Sequence, residues 1–268
     1  MHFQDYDNKK GRPETIDIES EIHSGPENKW KKMEEAYSFV FSVKRPVSGH
    51  LSRFEDNDLP DKYDHNYFEY SGQPTIEEFR KAVEYQKERG DTFIKLEGDE
   101  PLKESFGLTP SVKLTMELKA DLQNVDRNPD LKFFVPAVSE LEDLEVSHYG
   151  ITYGESFARR NIRRLYEELR FYGAYLDNEL VGSCYTFSKD DYICLDGLLV
   201  DIDHRHQKIA TSLLAHVWDK AGDKTFYLHA DKDSEVRQMY EKLGFREAGR
   251  RYEYLCTDLI LLKGKGVV

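Results

Sequence analysis

DKDSEVRQMYEKLGFREAGRRYEY, residues 231–254, decides how this chain reads. Asp233 stands where an N-cap side chain would accept the unpaired amides of a first helical turn, and SEVRQMYEKLGF (234–245) then reads as a helix closed by Gly244. RRYEYLC (250–256) follows as a strand. Upstream, TFYLHA (225–230) reads as a strand and HQKIATSLLAHVWDKAG (206–222) as an amphipathic helix. The buried stripe of that helix is Ile209, Leu213 and Val217 with Ala210 and Leu214, and Gly222 ends it. DYICLDGLLVD (191–201) carries a near-continuous apolar run, the pattern of a central strand covered on both faces. FYGAYLDNELVGSCYTFS (171–188) is a hairpin in which DNE makes the tight turn and Tyr175 and Leu176 mirror Val181. ESFARRNIRRLYEELR (155–170) and SELEDLEVSHYG read as helices and LKFFVPA (131–137) as a strand. The order β-α-α-β-β-β-α-β-α-β requires crossovers onto a mixed sheet with helices on both faces, an α/β (α+β) architecture.

Bulk properties bound what such a chain can do. Its 268 residues make one large domain or two small ones, and either buries a core without metal or disulfide staples. An apolar fraction of 39%, with 17 Tyr and 15 Phe, is too high for a disordered chain. The net charge of −13 repels phosphate backbones, so nucleic acid is not an expected partner, and it favours cationic substrates or simply solubility. Cys184, Cys194 and Cys256 are odd in number and widely spaced, which argues against a disulfide framework. No CxxC or HExxH pattern predicts a metal, and His204, His206 and His229 are candidates by location only. The opening MHFQDYDNKKGRPE lacks a leader's apolar segment, and no run reaches membrane-spanning length. The expectation is a cytoplasmic protein, monomer or homodimer, with no membrane partner.

The N-terminal half repeats the later order faintly. Residues 1–35 read as a polar arm in which WKKMEEAY carries a docking helical turn through Trp30 and Met33. YSFVFSVKR (37–45) and LSRFED (51–56) read as strands, and PTIEEFRKAVEYQKERG (74–90) as a helix with Thr75 and Glu78 as a capping box and Gly90 after its end. TFIKLEG (92–98) reads as a strand, PLKESFG (101–107) as a short helix, and SVKLTMELKA (111–120) as a strand. DLQNVDRNPD (121–130) is the linker candidate.

Two blocks at this spacing resemble the Gcn5-related N-acetyltransferase (GNAT) family. LLVDIDHRHQKIATSLL (198–214) is similar in frame to the family's acyl-CoA segment, a strand running into an R/Q-x-x-G-x-G/A loop and a helix; here the loop reads Arg205-His206-Gln207-Lys208-Ile209-Ala210, with His206 and Lys208 at the usual glycines. Residues 231–254 resemble the family's ending, Y-E-K-x-G-F, almost letter for letter. The resemblance covers about the last half of the chain. It implies a GNAT fold at 131–260, with 36–125 a degenerate GNAT-like or α+β half and the whole a tandem. It also implies acetyl-CoA as co-substrate and a primary amine of a small molecule or peptide as acceptor.

The resemblance assigns residues, and the chemistry can be weighed at each. The amides opening the helix at Arg205 to Thr211 would cradle a pyrophosphate, because first-turn N–H groups lack intrahelical acceptors and sit at the positive end of the helix dipole; Arg205 or Lys208 could add a side-chain contact in place of the glycines. Backbone groups of Leu198, Leu199 and Val200 would pair with pantetheine, and Asp233 stands where relatives hold an Asn. Tyr240 would protonate the departing thiolate, since a phenol keeps its proton at neutral pH; a core-packed ring is the alternative. Asp196 would help deprotonate the amine and shares a face with Leu198 and Val200 unless a bulge intervenes; a structural hydrogen-bonded carboxylate is the alternative. Glu155 and Glu168 are weaker candidates. One rival reading is a catalytically silent acyl-CoA-binding or interaction module; another, an aminoacyl transferase using charged tRNA, is disfavoured by the acidic balance. No diagnostic motif in 139–170 reveals the acceptor, and Arg159, Arg160, Arg163 and Arg164 serve an anionic acceptor or a solvated face equally.

Overall fold

Periodicity builds most of the elements found in the computed structural model, which describes residues 29–263. The arm expected at 1–35 lies outside those residues up to 28. In the N-terminal half, α1 (Lys29–Phe41) is followed by β1 (Val43–Pro46), β2 (Leu51–Glu55), β3 (Phe68–Tyr70), α2 (Ile76–Arg89), β4 (Ile94–Gly98) and β5 (Thr109–Leu118). The C-terminal half contributes β6 (Lys132–Phe134), α3 (Val138–Tyr153), α4 (Glu155–Glu168), β7 (Arg170–Leu176), β8 (Glu179–Lys189), β9 (Tyr192–Val200), α5 (Ile209–Ala221), β10 (Thr225–Asp231), α6 (Glu235–Lys242) and β11 (Phe245–Cys256).

Three local expectations are corrected. Residues 37–41 are helical, not a strand: Trp30, Met33, Tyr37 and Phe41 recur at helical spacing and are all buried, and this 3.6-residue period overrides the short alternation of YSFVFS. PLKESFG forms no helix, because side chains take its amides; Leu102 N donates to Tyr254 Oη (2.8 Å) and Lys103 N to Gln73 Oε1 (2.9 Å). Asp233 is not the cap of α6: Ser234 is, its Oγ accepting from Arg237 N at 3.2 Å. The predicted capping box at Thr75 and Glu78 is present in full.

All eleven strands of the described residues join one sheet in the order β1-β2-β3-β4-β11-β5-β10-β9-β8-β7-β6. The N-terminal half lays down three antiparallel strands, β1 to β3, and the C-terminal half four, β6 to β9; each then crosses over through a helix (α2 or α5) and adds a strand parallel to the last, β4 beside β3 and β10 beside β9. Each half then receives its final strand from the other. β11 pairs with β4, β5 pairs with β10, and β5 and β11 pair with each other down the middle over a long antiparallel register. The chain is thus a tandem of two GNAT-like halves with their final strands exchanged.

Helices cover both faces. α5 and α6 pack Leu213, Leu214, Val217 and Tyr240 against Leu114, Met116, Leu195 and Leu228. α2 packs Phe79 and Val83 on Ile94, Leu96 and Tyr254 of the same face. α1, α3 and α4 hold the other face through Tyr37, Phe41, Leu141, Ile162, Leu165 and Tyr185. Burying each large side chain of this kind contributes about 1.5–3 kcal/mol.

Candidate active site

The site begins where two central strands part. β9 and β10 run parallel from Thr225↔Tyr192 to Leu228↔Leu195, and their pairing stops there. At that point β9 bulges: Tyr185 pairs with Asp196 but Ser183 with Leu199, so β9 carries one extra residue. Gly197 makes the bulge, with φ +58° and the Tyr185 ring so close that a Cβ would lie 2.1 Å from it. The extra residue reverses the side-chain alternation. Ile193 and Leu195, and beyond the bulge Leu198 and Val200, pack with the α5/α6 core, whereas Asp196 turns to α1 on the opposite face. The conditional expectation of a shared face therefore resolves against it. Beyond Leu195, β9 and β10 no longer pair, which leaves the backbone edges of Leu198, Leu199 and Val200 on that side free of β10.

α5 starts at the end of this opening. Its N-cap, Lys208, supplies no side-chain hydrogen bond, and the first intrahelical bond of the turn is Ser212 N to Lys208 O at 2.9 Å. The preceding amides of Ile209, Ala210 and Thr211 are those a helix leaves without intrahelical acceptors. His206 and Lys208 have φ of +64° and +61°, the left-handed region that glycine adopts without penalty. The backbone thus keeps a glycine loop's path although both glycines are replaced. Asn128 braces it, its Nδ2 donating to Gln207 O (3.0 Å) and its N to Ser212 Oγ (2.9 Å). The matching helix of the other half differs in kind. At α2 the Glu78 carboxylate fills the N-terminus, accepting from Thr75 N (2.9 Å) and His50 N (3.1 Å), and these bonds hold its carboxyl down at about 2. That helix end already has an anion of its own.

On the opposite face Asp196, 4% exposed, sits in a buried polar network. Tyr37 Oη donates to its Oδ2 at 3.3 Å, and His229 Nδ1 lies 3.8 Å away. His229 Nε2 donates to Glu34 Oε1 at 2.6 Å, and Thr115 Oγ1 donates to the same oxygen at 2.5 Å. Burial works against a charged His229, but Glu34 outweighs it and raises the imidazole to about 9, while His229 and Lys113 hold the buried Glu34 well below the usual carboxylate range. Tyr240 comes from α6 on the other side. It is 1% exposed, its ring is 5.8 Å from that of Phe245, and burial, with the Cys184 thiol nearby, raises its hydroxyl far above the usual phenol.

A family model for an acetyltransferase (GNAT) domain matches residues 167–247, the span from β7 to the start of β11. These residues are a GNAT domain. Likeness of fold extends through both halves. A functionally unknown conserved protein from Staphylococcus epidermidis is 21% identical, with a TM-score of 0.71 over 82% of this chain and 96% of that one. A GCN5-related N-acetyltransferase from Kribbella flavida is 13% identical, with a TM-score of 0.63 over 88% and 97%. A tandem GNAT protein from the clavulanic acid biosynthesis pathway is 12% identical, with a TM-score of 0.52 over 83% and 86%. At these identities the likeness establishes architecture. No curated protein matches the sequence.

Within the GNAT domain the predicted residues fall into two groups. Asp196 and the 205–211 loop border the opening between β9 and β10 from opposite faces, and Tyr240 lies on the loop's side. The expected side-chain contacts to phosphate are otherwise engaged: Lys208 Nζ pairs with Asp126, and Arg205 meets His148 Nε2 at 2.8 Å. Asp233 is exposed and precedes the α6 cap. His204 is held by Asp201 at 2.8 Å, and His206 is exposed. Glu155 ties Arg159, and Glu168 ties Arg164, along α4. The arginines of α4 are spent on Glu142, Asp61, Asp56 and their own helix, so they form a cross-brace rather than a reception site. No helix among the described residues is long and apolar enough to cross a membrane.

Sequence reading missed Glu34, Tyr37 and Asp231, and it treated His229 as a bystander. TFYLHAD carried the signal: its alternation puts Phe226, Leu228 and Ala230 in the α5/α6 core and therefore Tyr227, His229 and Asp231 on the α1 face.

Proposed function

We propose that this protein transfers an acetyl group from acetyl-CoA to a primary amine. The observation that carries this reading is the opening between β9 and β10, with an uncapped helix N-terminus on one face and the Asp196 network on the other. The amides of Ile209–Thr211 and the left-handed turn at His206 and Lys208 supply donors for a pyrophosphate, and the unpaired edge of Leu198–Val200 supplies strand-like pairing for an extended chain of amides.

The reaction forms a C–N bond as the thioester C–S bond breaks. Asp196 takes the proton the amine must lose, with the Glu34-tied imidazolium of His229 steadying the carboxylate's charge. The sulfur leaves with its electron pair. Tyr240 keeps its proton too tightly to surrender it to a thiol that titrates near 8.5, so it serves as a hydrogen-bond donor to the developing thiolate, and solvent completes the protonation. This modifies the role expected from sequence. Tyr240→Phe lowers kcat by about 10²–10³-fold with acetyl-CoA affinity little changed, as followed by thiol release and calorimetry. Intact turnover in that variant removes Tyr240 from the mechanism.

The side chains of His206 and Lys208, which stand where the loop would otherwise offer bare glycine backbone, favour a second reading, a silent acyl-CoA-binding or interaction module. Calorimetric titration with coenzyme A separates the two from loss of the site. Saturable binding with no thiol release for any amine supports the silent module, and absence of binding sinks both readings.

A further inference from the structure

Beneath α1 the sheet is hollow. A cavity of about 220 Å³ runs crosswise from Asp196 on β9 to His65 and Tyr67 beside β3. Its two ends are linked by α1 side chains: Tyr37 touches Asp196, and Phe41 lies 6.1 Å from the Tyr37 ring and 4.3 Å from the His65 ring, so the cavity spans both halves within about one turn of α1. Its charges do not balance. Nine carboxylates line it against three basic side chains, Lys31, Lys113 and Arg251. Lys44 and Lys95 reach the same carboxylates from behind, and His229 is a sixth cationic group, which leaves an excess of three negative charges among the described residues. Lys95 is fully used, since its Nζ lies within 3.2 Å of Asp64, Glu97 and Glu253 at once. Asp231, at the β9–β10 opening, has no side-chain hydrogen bond or ion pair among the described residues. Burial first, then Glu253, push it up to about 6 against the pull of Lys113, its neighbour on β5.

The far end makes an independent demand. His65 is 4% exposed and lines the cavity. Its Nδ1 donates to Asp56 Oδ2 at 2.9 Å, burial lowers the ring to about 4, and the neutral imidazole therefore presents Nε2 as a bare acceptor. That Nε2 has no hydrogen-bond partner among the described residues. A buried acceptor left unpaired costs about 1–3 kcal/mol, and only an N–H or O–H donor entering the cavity satisfies it. Phe41 stacks on the same ring at 4.3 Å, with Phe54 and Tyr67 beside it, so the walls between the polar points suit methylene chain.

We infer that the acceptor is a linear polyamine, its reacting nitrogen at Asp196 and its further ammonium groups held along the cavity by Asp231 and, at the far end, by His65 Nε2. The inference rests on the acetyl-transfer reading only for the reacting end; the cation preference belongs to the cavity itself.

Two measurements on the full chain therefore test it separately. In calorimetry without acetyl-CoA, spermidine binds saturably and at least ~10-fold tighter than n-butylamine, with an affinity that falls as salt rises. Asp231→Asn and His65→Phe each reduce spermidine affinity by ~10-fold or more while leaving butylamine binding nearly unchanged; Asp231→Asn also leaves the melting temperature nearly unchanged, whereas His65→Phe lowers it because Asp56 loses its donor. In thiol release with acetyl-CoA, spermidine and 1,4-diaminobutane exceed butylamine in kcat/KM, and Asp231→Asn removes that advantage mainly through KM. Equal affinity and equal kcat/KM for butylamine and spermidine overturn the polyamine inference and leave acetyl transfer standing. Selective spermidine binding with no thiol release keeps the cation site and overturns the transfer reading.

Discussion

At the residue scale, the pair His229–Glu34 is the most exposed to test by pH. The folded imidazole titrates near 9 against 6.5 unfolded, so its contribution is fully present below about pH 6.5 and is lost as pH rises through about 9. Raised by that amount, it is worth on the order of 3 kcal/mol. Chemical denaturation at pH 6.5 and at pH 9.5 is expected to show the parent losing stability by this order, and His229→Gln, already less stable at pH 6.5, losing much less. A parent whose stability is flat across that window contradicts the ion pair. The residue scale is also where sequence was least informative. Tyr240 and Asp196 could be named from their positions in a motif and a strand, but Glu34 reaches His229 from 195 residues away in sequence, and no local pattern announces such a partner.

At the element scale, β9 controls the site through one turn of backbone. Gly197→Ala combines a left-handed φ with a Cβ 2.1 Å from the Tyr185 ring. The expected cost is about 2–4 kcal/mol, together with a larger proportional loss of coenzyme A affinity than a core substitution of similar cost elsewhere, such as Phe79→Leu in α2. Paired melting curves and titrations check this. Equal affinity in the two variants removes the bulge from the binding argument. Elements with strong periodicity or caps were legible: α2 with its Thr75–Glu78 box, α5 with its Ile209–Leu213–Val217 stripe, and the 171–188 hairpin all stand where expected, though the hairpin's register sets Tyr175 opposite Leu180 and Leu176 opposite Glu179 rather than against Val181. α1 was misread beyond Tyr37 because five residues of alternating apolarity fit a strand as well as a helix when the partner surface is unknown. The bulge in β9 is a one-residue event that only pairing with β8 reveals.

At the scale of the whole molecule, the crossed placement of β5 and β11 makes the halves interdependent. Either half produced alone exposes the edge of β4 or β10 that its missing partner strand would cover. Residues 1–125 and 126–268 produced separately are expected to be insoluble or molten, and co-produced they should associate and regain one cooperative melt. Two independent transitions in the intact chain, or a soluble, cooperatively folded fragment, count against this. The repeated order of elements was visible in sequence. The exchange was not, because strand order within a sheet is set by which edges meet in space, and β5 and β11 carry similar alternation.

That exchange also bears on how the chain can change over generations. The N-terminal half keeps a carboxylate of its own at the helix end where its twin leaves amides free, so that end of the fold is released from holding any other anion. Its last strand cannot, since β5 is the floor on which β10 and β11 lie. A copy relieved of that task remains bound by architecture, and drift in residues 109–118 would be felt first in the C-terminal half rather than in its own.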